Sequence, residues 1–440
     1  MACCLVVALG VGAGPEDPSF GKREDVVTRE PPPRVAVGAV VPGPAGGSYV
    51  IANSEPATAS YARDGGTLIV LRYDRRGRPV RSFGRAGSYR TRLAGRPIRA
   101  RGAMRQGDGK LVVVGSIGRA EEQDLLIARF FPDGTLDGAF GNGGMQTLDI
   151  GRAGEAAVDV AVQPDGALVV AGETASPRPP DPALREMVLL RLRRDGRFDE
   201  SFAAAGVLRL PPEDLYPSDT DPAAVAVAPD GTILMAGTEN PRGPHPDGNY
   251  WPVVARVPPD GSRADLFPIQ VNETSVAGMA LDRASGRLYL GGTTQEPVYG
   301  GWRMSVTALR GDLTLDSSFG RQGVALADFA GSSDIASAMI RDSRGRIVLA
   351  GVAGRVGTDH PWSAFALVRF TSGGRLDPAF GHRGQTLVRF RAHLSVAQAL
   401  VEQPRGRLLA AGIAGADPIN PLDGTGRAVA LARLVSDRRR

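Results

Sequence analysis

Short apolar runs separated by turn signals recur along the whole chain. In one representative stretch, the pattern predicts strands at about 157–163, 167–173, 187–193 and 206–210. A Pro-Asp-Gly turn joins the first two, because proline presets φ and glycine accepts a positive φ. The Val, Ala and Leu runs are nearly continuous, and no long stretch has the 3.6-residue period of an amphipathic helix. The pattern therefore predicts an all-β protein whose repeats cover one another's sheets.

Two markers give the same repeat count. The first is an LDxxFG-like signature with a period of about 60 residues, and its phenylalanines are Phe20, Phe83, Phe140, Phe202, Phe267, Phe319 and Phe380. The second is a turn followed by an apolar strand, as in PDGALVVAG at 164–172, and it also occurs seven times. Four-stranded units of this length, repeated this often, are typical of a β-propeller.

The two ends of the chain look like parts of one unit. Residues 17–28 resemble the last strand of a repeat, and residues 428–435 resemble a third strand with no fourth after it. Pairing the two would remove an open sheet edge. We therefore predict a seven-bladed β-propeller of four-stranded antiparallel blades. Its ring is closed by the N-terminal strand pairing with the C-terminal blade, and it forms a single domain over 15–440.

The unit LARxxxDGxLDxxFGxxG…A…QPDGxxVVAG resembles the delta-60 repeat of bacterial, often secreted, proteins, and less closely the NHL-type propeller repeat. The resemblance covers residues 17–440. The first unit departs from it by lacking the PDG, and the fifth by lacking the arginine and the FG. The resemblance implies a propeller fold and an extracellular or envelope location. The family carries no established catalytic residues, so none is transferred to this chain.

The first residues, MACCLVVALGVGAG, contain the only cysteines, Cys3 and Cys4. They resemble a short signal-peptide core without a basic region before it. We predict a truncated signal peptide at 1–14 and a secreted or cell-envelope location, with a disordered apolar tail as the alternative. A cleaved leader would leave no cysteine for a disulfide. No later run reaches the roughly 18 apolar residues of a membrane-spanning helix.

Positive charge is carried almost entirely by arginine. The formal net charge is +5, and Lys22 and Lys110 are the only lysines among 52 basic residues. Six arginines surround one turn of the first repeat: Arg72, Arg75, Arg76, Arg78, Arg81 and Arg85. Few aromatic residues interleave with them for base stacking. We therefore interpret the cluster as a solvated surface and predict no nucleic-acid partner.

Aspartates and arginines recur with the repeat, and a structural role accounts for both. An aspartate precedes many turn glycines, as Asp133 and Asp165 do, and another, such as Asp137, precedes the FG. Asx-turn capping explains these better than calcium-loop spacing does. An arginine ends the third strand in six repeats, with Ala308 at that place in the fifth, and we expect it to pair with a turn aspartate. These arginines are Arg72, Arg129, Arg191, Arg256, Arg369 and Arg433.

Catalytic and metal-binding patterns are weak. The four histidines form no HxH or HExxH motif, and no GxSxG occurs. A metal at the hub of a propeller would need inward-facing carboxylates. The inner strands offer only scattered candidates, such as Asp159 and Gln398. We predict no catalytic residue, no metal ligand and no cofactor.

One feature breaks the regularity of the repeat. Trp251, Trp302 and Trp362 all fall between the second and third strands of three consecutive blades. Tyr250, Tyr299, His245 and His360 lie beside them, and the acidic segment 211–216 with Asp219 and Asp221 is expected on the same face. Aromatic rings rimmed by polar groups predict a recognition surface for a glycan or a peptide. The alternative is that each indole covers the core of its own blade.

The sequence thus predicts a non-enzymatic, exported and monomeric propeller that binds a protein or carbohydrate partner through its loop face. The residues proposed for binding are Trp251, Trp302, Trp362, Tyr250, Tyr299 and His360. One alternative is a metal-dependent hydrolase or lyase with its site in the central funnel. Another is a purely structural cell-surface or adhesion module. A bound molecule would separate these, because the repeat itself specifies the fold and not the chemistry.

Overall fold

The structure is a computed structural model. It describes residues 5–8, 20, 25–29, 35–54, 66–92, 96–119, 122–150, 154–175, 185–210, 218–241, 250–271, 274–295, 301–329, 333–355, 362–390, 394–415 and 428–435. Within these ranges the regular elements are strands and two single-turn 3₁₀ segments, Pro44–Gly46 and Pro404–Gly406. The predicted all-β class is confirmed.

The strands are short and follow one another at the spacing of the repeat. In chain order they are β1 (Leu5–Ala8), β2 (Asp25–Arg29), β3 (Val35–Pro42), β4 (Ser48–Ser54), β5 (Thr67–Tyr73), β6 (Ser88–Thr91), β7 (Ile98–Arg105), β8 (Leu111–Ile117), β9 (Asp124–Phe130), β10 (Met145–Leu148), β11 (Ala156–Val162), β12 (Leu168–Ala175), β13 (Arg185–Leu192), β14 (Val207–Leu210), β15 (Ser218–Val227), β16 (Ile233–Pro241), β17 (Trp251–Val257), β18 (Asp265–Pro268), β19 (Thr274–Leu281), β20 (Leu288–Gln295), β21 (Trp302–Leu309), β22 (Val324–Ala327), β23 (Ser333–Arg341), β24 (Ile347–Arg355), β25 (Trp362–Phe370), β26 (Gln385–Val388), β27 (Ser395–Gln403), β28 (Arg407–Ala414) and β29 (Ala428–Leu434).

These strands form antiparallel units, which we number along the chain. Units 1 to 4 are separate four-stranded sheets, β3–β6, β7–β10, β11–β14 and β15–β18. Unit 5 (β19–β22) and unit 6 (β23–β26) merge into one eight-stranded sheet through a single parallel bridge between Trp302 and Ser333. Unit 7 consists of β27, β28 and β29, followed by β2 and β1. The predicted four-stranded antiparallel organisation is confirmed.

The strands predicted for the representative stretch 157–210 agree with β11 to β14 to within one or two residues at each end. At the N-terminus, β2 pairs with β29, and Val26 lies opposite Leu431. Strand β1 pairs with β2, with Leu5 opposite Thr28. Because β1 lies inside the predicted leader, the pairing concerns the uncleaved chain, and cleavage after residue 14 stays a prediction.

The apolar core fills the clefts between successive units. Along β9, Ile127 packs with Val170 of unit 3, whereas its neighbour Leu126 packs with Ile51 of unit 1. Side chains of a strand alternate between the two sides of a sheet, so each strand contributes to two clefts. This two-sided burial explains why the apolar runs are nearly continuous in sequence.

Each first strand carries a β-bulge at the same place, which the sequence did not predict. In β7 the register shifts between Ala100 and Gly102, and in β11 between Ala157 and Asp159. Equivalent shifts occur in β3, β15, β19, β23 and β27. These strands contact one another in chain order, and β27 also contacts β3. Bulges bend a strand and redirect its side chains, and here they lie where the first strands meet.

Candidate functional site

The repeated arginine and the LDxxFG aspartate form a buried ion pair. In unit 6, Arg369 is fully buried and its Nε donates to Asp377 Oδ2 at 2.9 Å. Its guanidinium lies 4.7 Å from the ring centroid of Phe380. In unit 2, Arg129 Nε donates to Asp137 Oδ2 at 2.8 Å. The predicted pairing of this arginine with a turn aspartate is confirmed in these units.

The same signature also connects unit 2 with unit 3. Arg129 Nη1 donates to the carbonyl oxygen of Arg194 in the DG turn of unit 3, at 2.7 Å. The backbone N–H of Gly141 donates to the carbonyl oxygen of Asp195 in that turn, also at 2.7 Å. Phe140 lies directly beneath the turn, because a Cβ added at Gly196 would be only 2.6 Å from its ring. In these two units the signature therefore fastens one unit to its neighbour.

Unit 5 replaces the missing arginine from a different strand. Its signature does contain the FG, at Phe319 and Gly320, because the marker without FG, at Phe267, lies in unit 4. Ala308 stands at the arginine position, and the aspartate of the signature, Asp316, forms an ion pair with Arg287, which directly precedes β20. Lys110 occupies the same place before β8 and lies 3.0 Å from Asp137. The cation is thus kept although its position in the repeat changes.

The turn aspartates cap their own turns, as predicted. Asp133 Oδ1 accepts the backbone N–H of Thr135 at 2.8 Å, and Asp165 Oδ1 accepts that of Ala167 at 2.9 Å. The hydrogen bonds from Thr135 lower the pKa of Asp133. Each carboxylate is engaged by its own loop, which is the geometry of an Asx-turn and not of a calcium loop.

The arginine cluster of unit 1 is divided by the structure. Arg75, Arg76, Arg78, Arg81 and Arg85 are exposed. Arg72 is half-buried, with its guanidinium 5.7 Å from the ring centroid of Tyr49. Five of the six side chains therefore reach solvent, as the predicted solvated surface requires.

A cavity of about 480 Å³ lies where the first strands of all seven units meet. Most of its lining is Ala, Gly and Val, and Arg99, Arg101 and Asp159 are its charged residues. Arg101 Nη1 lies 2.8 Å from Glu173 Oε1 of unit 3. Among the described lining residues, Asp159 alone carries a carboxylate.

The two hub residues singled out in the sequence hold neighbouring strands together. Asp159 Oδ1 accepts the N–H of Val160 at 2.8 Å, and its Oδ2 accepts that of Val225 in unit 4 at 2.9 Å. Burial raises the pKa of Asp159 to about 6 in spite of these bonds. Gln398 Oε1 accepts the N–H of Val37 at 2.9 Å. Both side chains lie in the cavity wall, and both accept hydrogen bonds from backbone N–H groups.

Three carboxylates that the sequence did not single out converge at the end of unit 2. Oxygens of Asp124, Asp149 and Glu155 lie within 4.8 Å of one another. Arg96 Nη1 lies 2.7 Å from Asp124 Oδ2, and Glu155 Oε1 accepts the N–H of Ile150 at 2.8 Å. These partners account for the orientation of two of the three carboxylates, so the group carries no metal assignment.

Asp334, the second residue of the first strand of unit 6, is a buried carboxyl with one clear partner. Its Oδ2 accepts the N–H of Phe329 at 2.7 Å. Burial raises its pKa to about 6, Asp328 adds to the rise, and the Phe329 N–H and Arg303 oppose it. The folded protein therefore holds this proton more tightly than the unfolded chain does.

Asp334→Asn should flatten part of the pH dependence of stability. The proton's contribution is fully present below about pH 4 and is lost as the pH rises through about 6. We expect the variant to lose about 1–3 kcal/mol less free energy of unfolding than wild type over this interval. Urea denaturation between pH 4 and 7 measures it. Asp312→Asn removes an exposed carboxyl whose pKa is lowered. The contribution of that carboxyl is lost only below about pH 4, so its profile should parallel that of wild type between pH 4 and 7. Parallel wild-type and Asp334→Asn profiles would contradict the assignment.

The three tryptophans do not lie in the loops in which the sequence analysis placed them. Each is the first residue of the third strand of its unit and not part of the preceding loop. Trp251, Trp302 and Trp362 stand five, six and seven residues before the repeated arginine position. A shift of one residue moves a side chain to the other side of a sheet. Trp302 is therefore on the opposite side of its sheet from the other two.

Two of the indoles consequently flank the same cleft. Met304 and Val306 of β21 pack in one apolar cluster with Ala366 and Val368 of β25. Residues two apart share a side of a strand. Trp302 therefore lies on the same side of β21 as Met304 and Val306. Trp362 lies on the same side of β25 as Ala366 and Val368. These two indoles lie at the end of the cleft between units 5 and 6.

Trp251 belongs to a different cleft. It lies on the same side of β17 as Val253 and Ala255, which pack with Met187 and Leu189 of unit 3. Its Nε1 donates to Glu239 Oε2 at 3.0 Å. Tyr250 beside it is 45% exposed. The expected single surface of three tryptophans is therefore divided between the cleft of units 3 and 4 and that of units 5 and 6.

The structure describes only some of the remaining residues predicted for the site. Tyr299, His360, His245 and the acidic segment 211–216 lie outside the described residues. Asp221 accepts a hydrogen bond from Asn240 Nδ2 at 2.8 Å, and burial, with Glu173 nearby, raises its pKa. In the part of the chain that the structure covers, no helix is long and apolar enough to cross a membrane.

Residues 106–140 match a β-propeller family. It is described as "Domain of unknown function (DUF5122) beta-propeller". The matched stretch includes the turn before β8 and all but the last residue of the LDGAFG signature, so it covers parts of both repeat markers. Together with the four-stranded antiparallel units, the match supports the β-propeller fold. No curated protein matches the sequence.

Several solved structures are similar over most of their length. A protein of unknown function from Dyadobacter fermentans is 11% identical, with a TM-score of 0.45, 84% of this chain and 98% of that chain covered. A gluconolactonase from Xanthomonas campestris is 15% identical, with a TM-score of 0.38 and coverages of 88% and 100%. The polysaccharide lyase Uly1 is 12% identical, with a TM-score of 0.48 and coverages of 88% and 88%. Likenesses this distant say nothing about the activity of this chain.

Proposed function

We propose that the protein is a non-enzymatic binding propeller that recognises a glycan or a peptide at the cleft between units 5 and 6. The observation that carries the proposal is the register of Trp302 and Trp362. Their side chains lie on the sides of β21 and β25 that face each other across this cleft. Both side chains are only partly buried. Half-exposed aromatic rings supply flat apolar area with a polar edge, which suits sugar rings and peptide side chains.

The electrostatics of this cleft fit recognition better than catalysis. The guanidinium of Arg389 lies 4.7 Å from the Trp362 ring centroid, a cation–π contact that orients the indole. A metal-dependent hydrolase or lyase in the central cavity is the alternative. Asp159 there accepts two backbone N–H groups, so it has little capacity left for an ion. A metal that survives dialysis in stoichiometric amount would favour that alternative.

We also infer that the seven units are the blades of one closed ring. The support comes from contacts that connect unit 7 with unit 1 in the same way as the other units are connected. Arg433 lies 4.5 Å from the ring centroid of Phe20 and donates to the carbonyl oxygen of Arg75. A Cβ at Gly77 would lie 2.6 Å from that phenylalanine ring. The pairing of β2 with β29 adds a fourth strand to unit 7.

We further propose export to the envelope or medium, membership of the delta-60 repeat proteins and a monomeric state. The apolar start of the chain supports export, and the repeated signature supports the family. The intact mass of the protein recovered from the producing cell, and its sedimentation in solution, test cleavage of the leader and the monomer.

Binding at the cleft is tested by removing its two indoles. We expect Trp302→Ala with Trp362→Ala to weaken a glycan or peptide hit from a binding panel about tenfold or more, because central aromatic residues carry most of the energy of such sites. Trp251→Ala removes an indole from the other cleft and should change the affinity less than about twofold. Isothermal titration of the three proteins measures this. Undiminished binding by the double variant would sink the proposal, and so would an equal loss with Trp251→Ala.

A further inference from the structure

A second recess lies along the outer strand of unit 5. It has a volume of about 830 Å³, within the usual range of ligand pockets. Its apolar part includes Leu315, Val324 and Leu326, and Leu326 is 47% exposed. We name this recess the arginine groove. The FG turn of unit 5 and the Gly373–Gly374 turn of unit 6 complete it.

The charge of this groove is of one sign. Arg303, Arg321 and Arg375 are among its lining residues, and the described lining contains no carboxylate. Arg303 forms an ion pair with Asp328 outside the lining. Within the described part of the chain, Arg321 and Arg375 form no ion pair, and both are exposed. Two guanidinium groups are therefore available to a ligand, and a third lies beside them.

The uncharged polar groups of the groove indicate the rest of the ligand. The amides of Gln270, Gln295 and Gln322 line it, and each can donate and accept hydrogen bonds. The hydroxyl groups of Thr274 and Thr294 lie 2.8 Å apart in the same lining. Side chains of this kind pair with hydroxyl groups, whereas planar guanidinium forks pair with carboxylates.

We propose that the arginine groove binds an acidic oligosaccharide, with uronate carboxylates on Arg321 and Arg375 and sugar hydroxyls on the glutamine amides. The exposed face of Leu326 then packs against a sugar ring. The site is separate from the cleft of the two indoles. Arg303 directly follows Trp302 in β21, so the two side chains lie on opposite sides of that strand.

Unit 1 offers a matched control for these arginines. Arg85 follows the FG of its signature as Arg321 does, and Arg78 follows its turn glycine as Arg375 does. Both are exposed. Neither lines the arginine groove. The pair Arg78→Gln with Arg85→Gln thus removes the same charge from the same repeat positions without changing the groove.

The probe is a short oligogalacturonate, and its methyl ester is the neutral equivalent. We expect the acid to bind in isothermal titration at low salt, the ester to bind at least about tenfold more weakly, and added salt to weaken the acid. Arg321→Gln with Arg375→Gln should weaken the acid about tenfold or more, and the unit 1 pair less than about twofold.

Several results would overturn the proposal. They are no binding of the acid, equal binding of the ester, an equal loss in both variant pairs, or preference for an acidic peptide such as polyglutamate. The tryptophan variants should leave oligogalacturonate binding unchanged. Failure of this site is therefore distinguishable from failure of the cleft.

Discussion

Replacing Arg369 by alanine is expected to lower the free energy of unfolding by about 3–5 kcal/mol, because it leaves a buried carboxylate without its main cation. Arg369 is fully buried, bonds Asp377 at 2.9 Å and lies over the ring of Phe380. Arg346 Nη1, 3.7 Å from Asp377, is the cation that remains. Urea denaturation at neutral pH measures the loss.

Two variants make that result specific. Arg369→Lys keeps the charge without the planar fork and should lose less stability than the alanine variant. Arg283→Ala, on an exposed turn, should change stability by no more than about 0.5 kcal/mol. If Arg369→Ala cost less than about 1 kcal/mol, the buried pair would not be a main stabilising contact of its unit.

Gly196→Ala is expected to cost about 2–4 kcal/mol, through a disfavoured backbone and through overlap with the neighbouring unit. Gly196 has a φ of +86°, and its Cβ would lie 2.6 Å from Phe140 Cδ2 and 2.7 Å from Gly141 N. Denaturant unfolding of the variant measures the total. The outcome depends on whether Phe140 can move.

A double-mutant cycle separates the two causes. In a Phe140→Leu background the ring overlap is removed, so the cost of Gly196→Ala should fall by about 1 kcal/mol or more. Gly138→Ala, where a Cβ meets nothing within 4 Å, should have little effect. A cost of Gly196→Ala that is the same in both backgrounds would assign the whole effect to the backbone.

Much of the fold could be predicted because the physical requirement repeats with the sequence. The PDG turn fixes the first hairpin of a unit, and β11 to β14 lie where the pattern predicted them. The pairing of Arg129 with Asp137 followed from two charged residues that recur beside apolar strands. A buried arginine requires a carboxylate, and the signature offered one in most units, although Val80 stands at that place in unit 1.

Other features depended on what the repeat does not contain. Arg287 replaces the missing arginine of unit 5 from a different strand, so alignment of the third strands alone could not find it. The bulges of the first strands leave no common sequence signal, because the residues at the register shifts differ in type, from Gly38 to Arg101 and Gln398. The opposite orientation of Trp302 could have been predicted from its distance to Ala308 in the sequence. It was missed because the three tryptophans were aligned by their position in the loop.

The stepwise displacement of the three tryptophans has a consequence for how the proposed binding cleft could change its ligand. One inserted or deleted residue at the entry to a third strand would transfer an aromatic ring from one inter-blade cleft to the adjacent one. The apolar core residues of the same strand would keep their packing partners. Diversification of recognition in this architecture can therefore proceed through loop length, with no substitution of the contacting side chain itself.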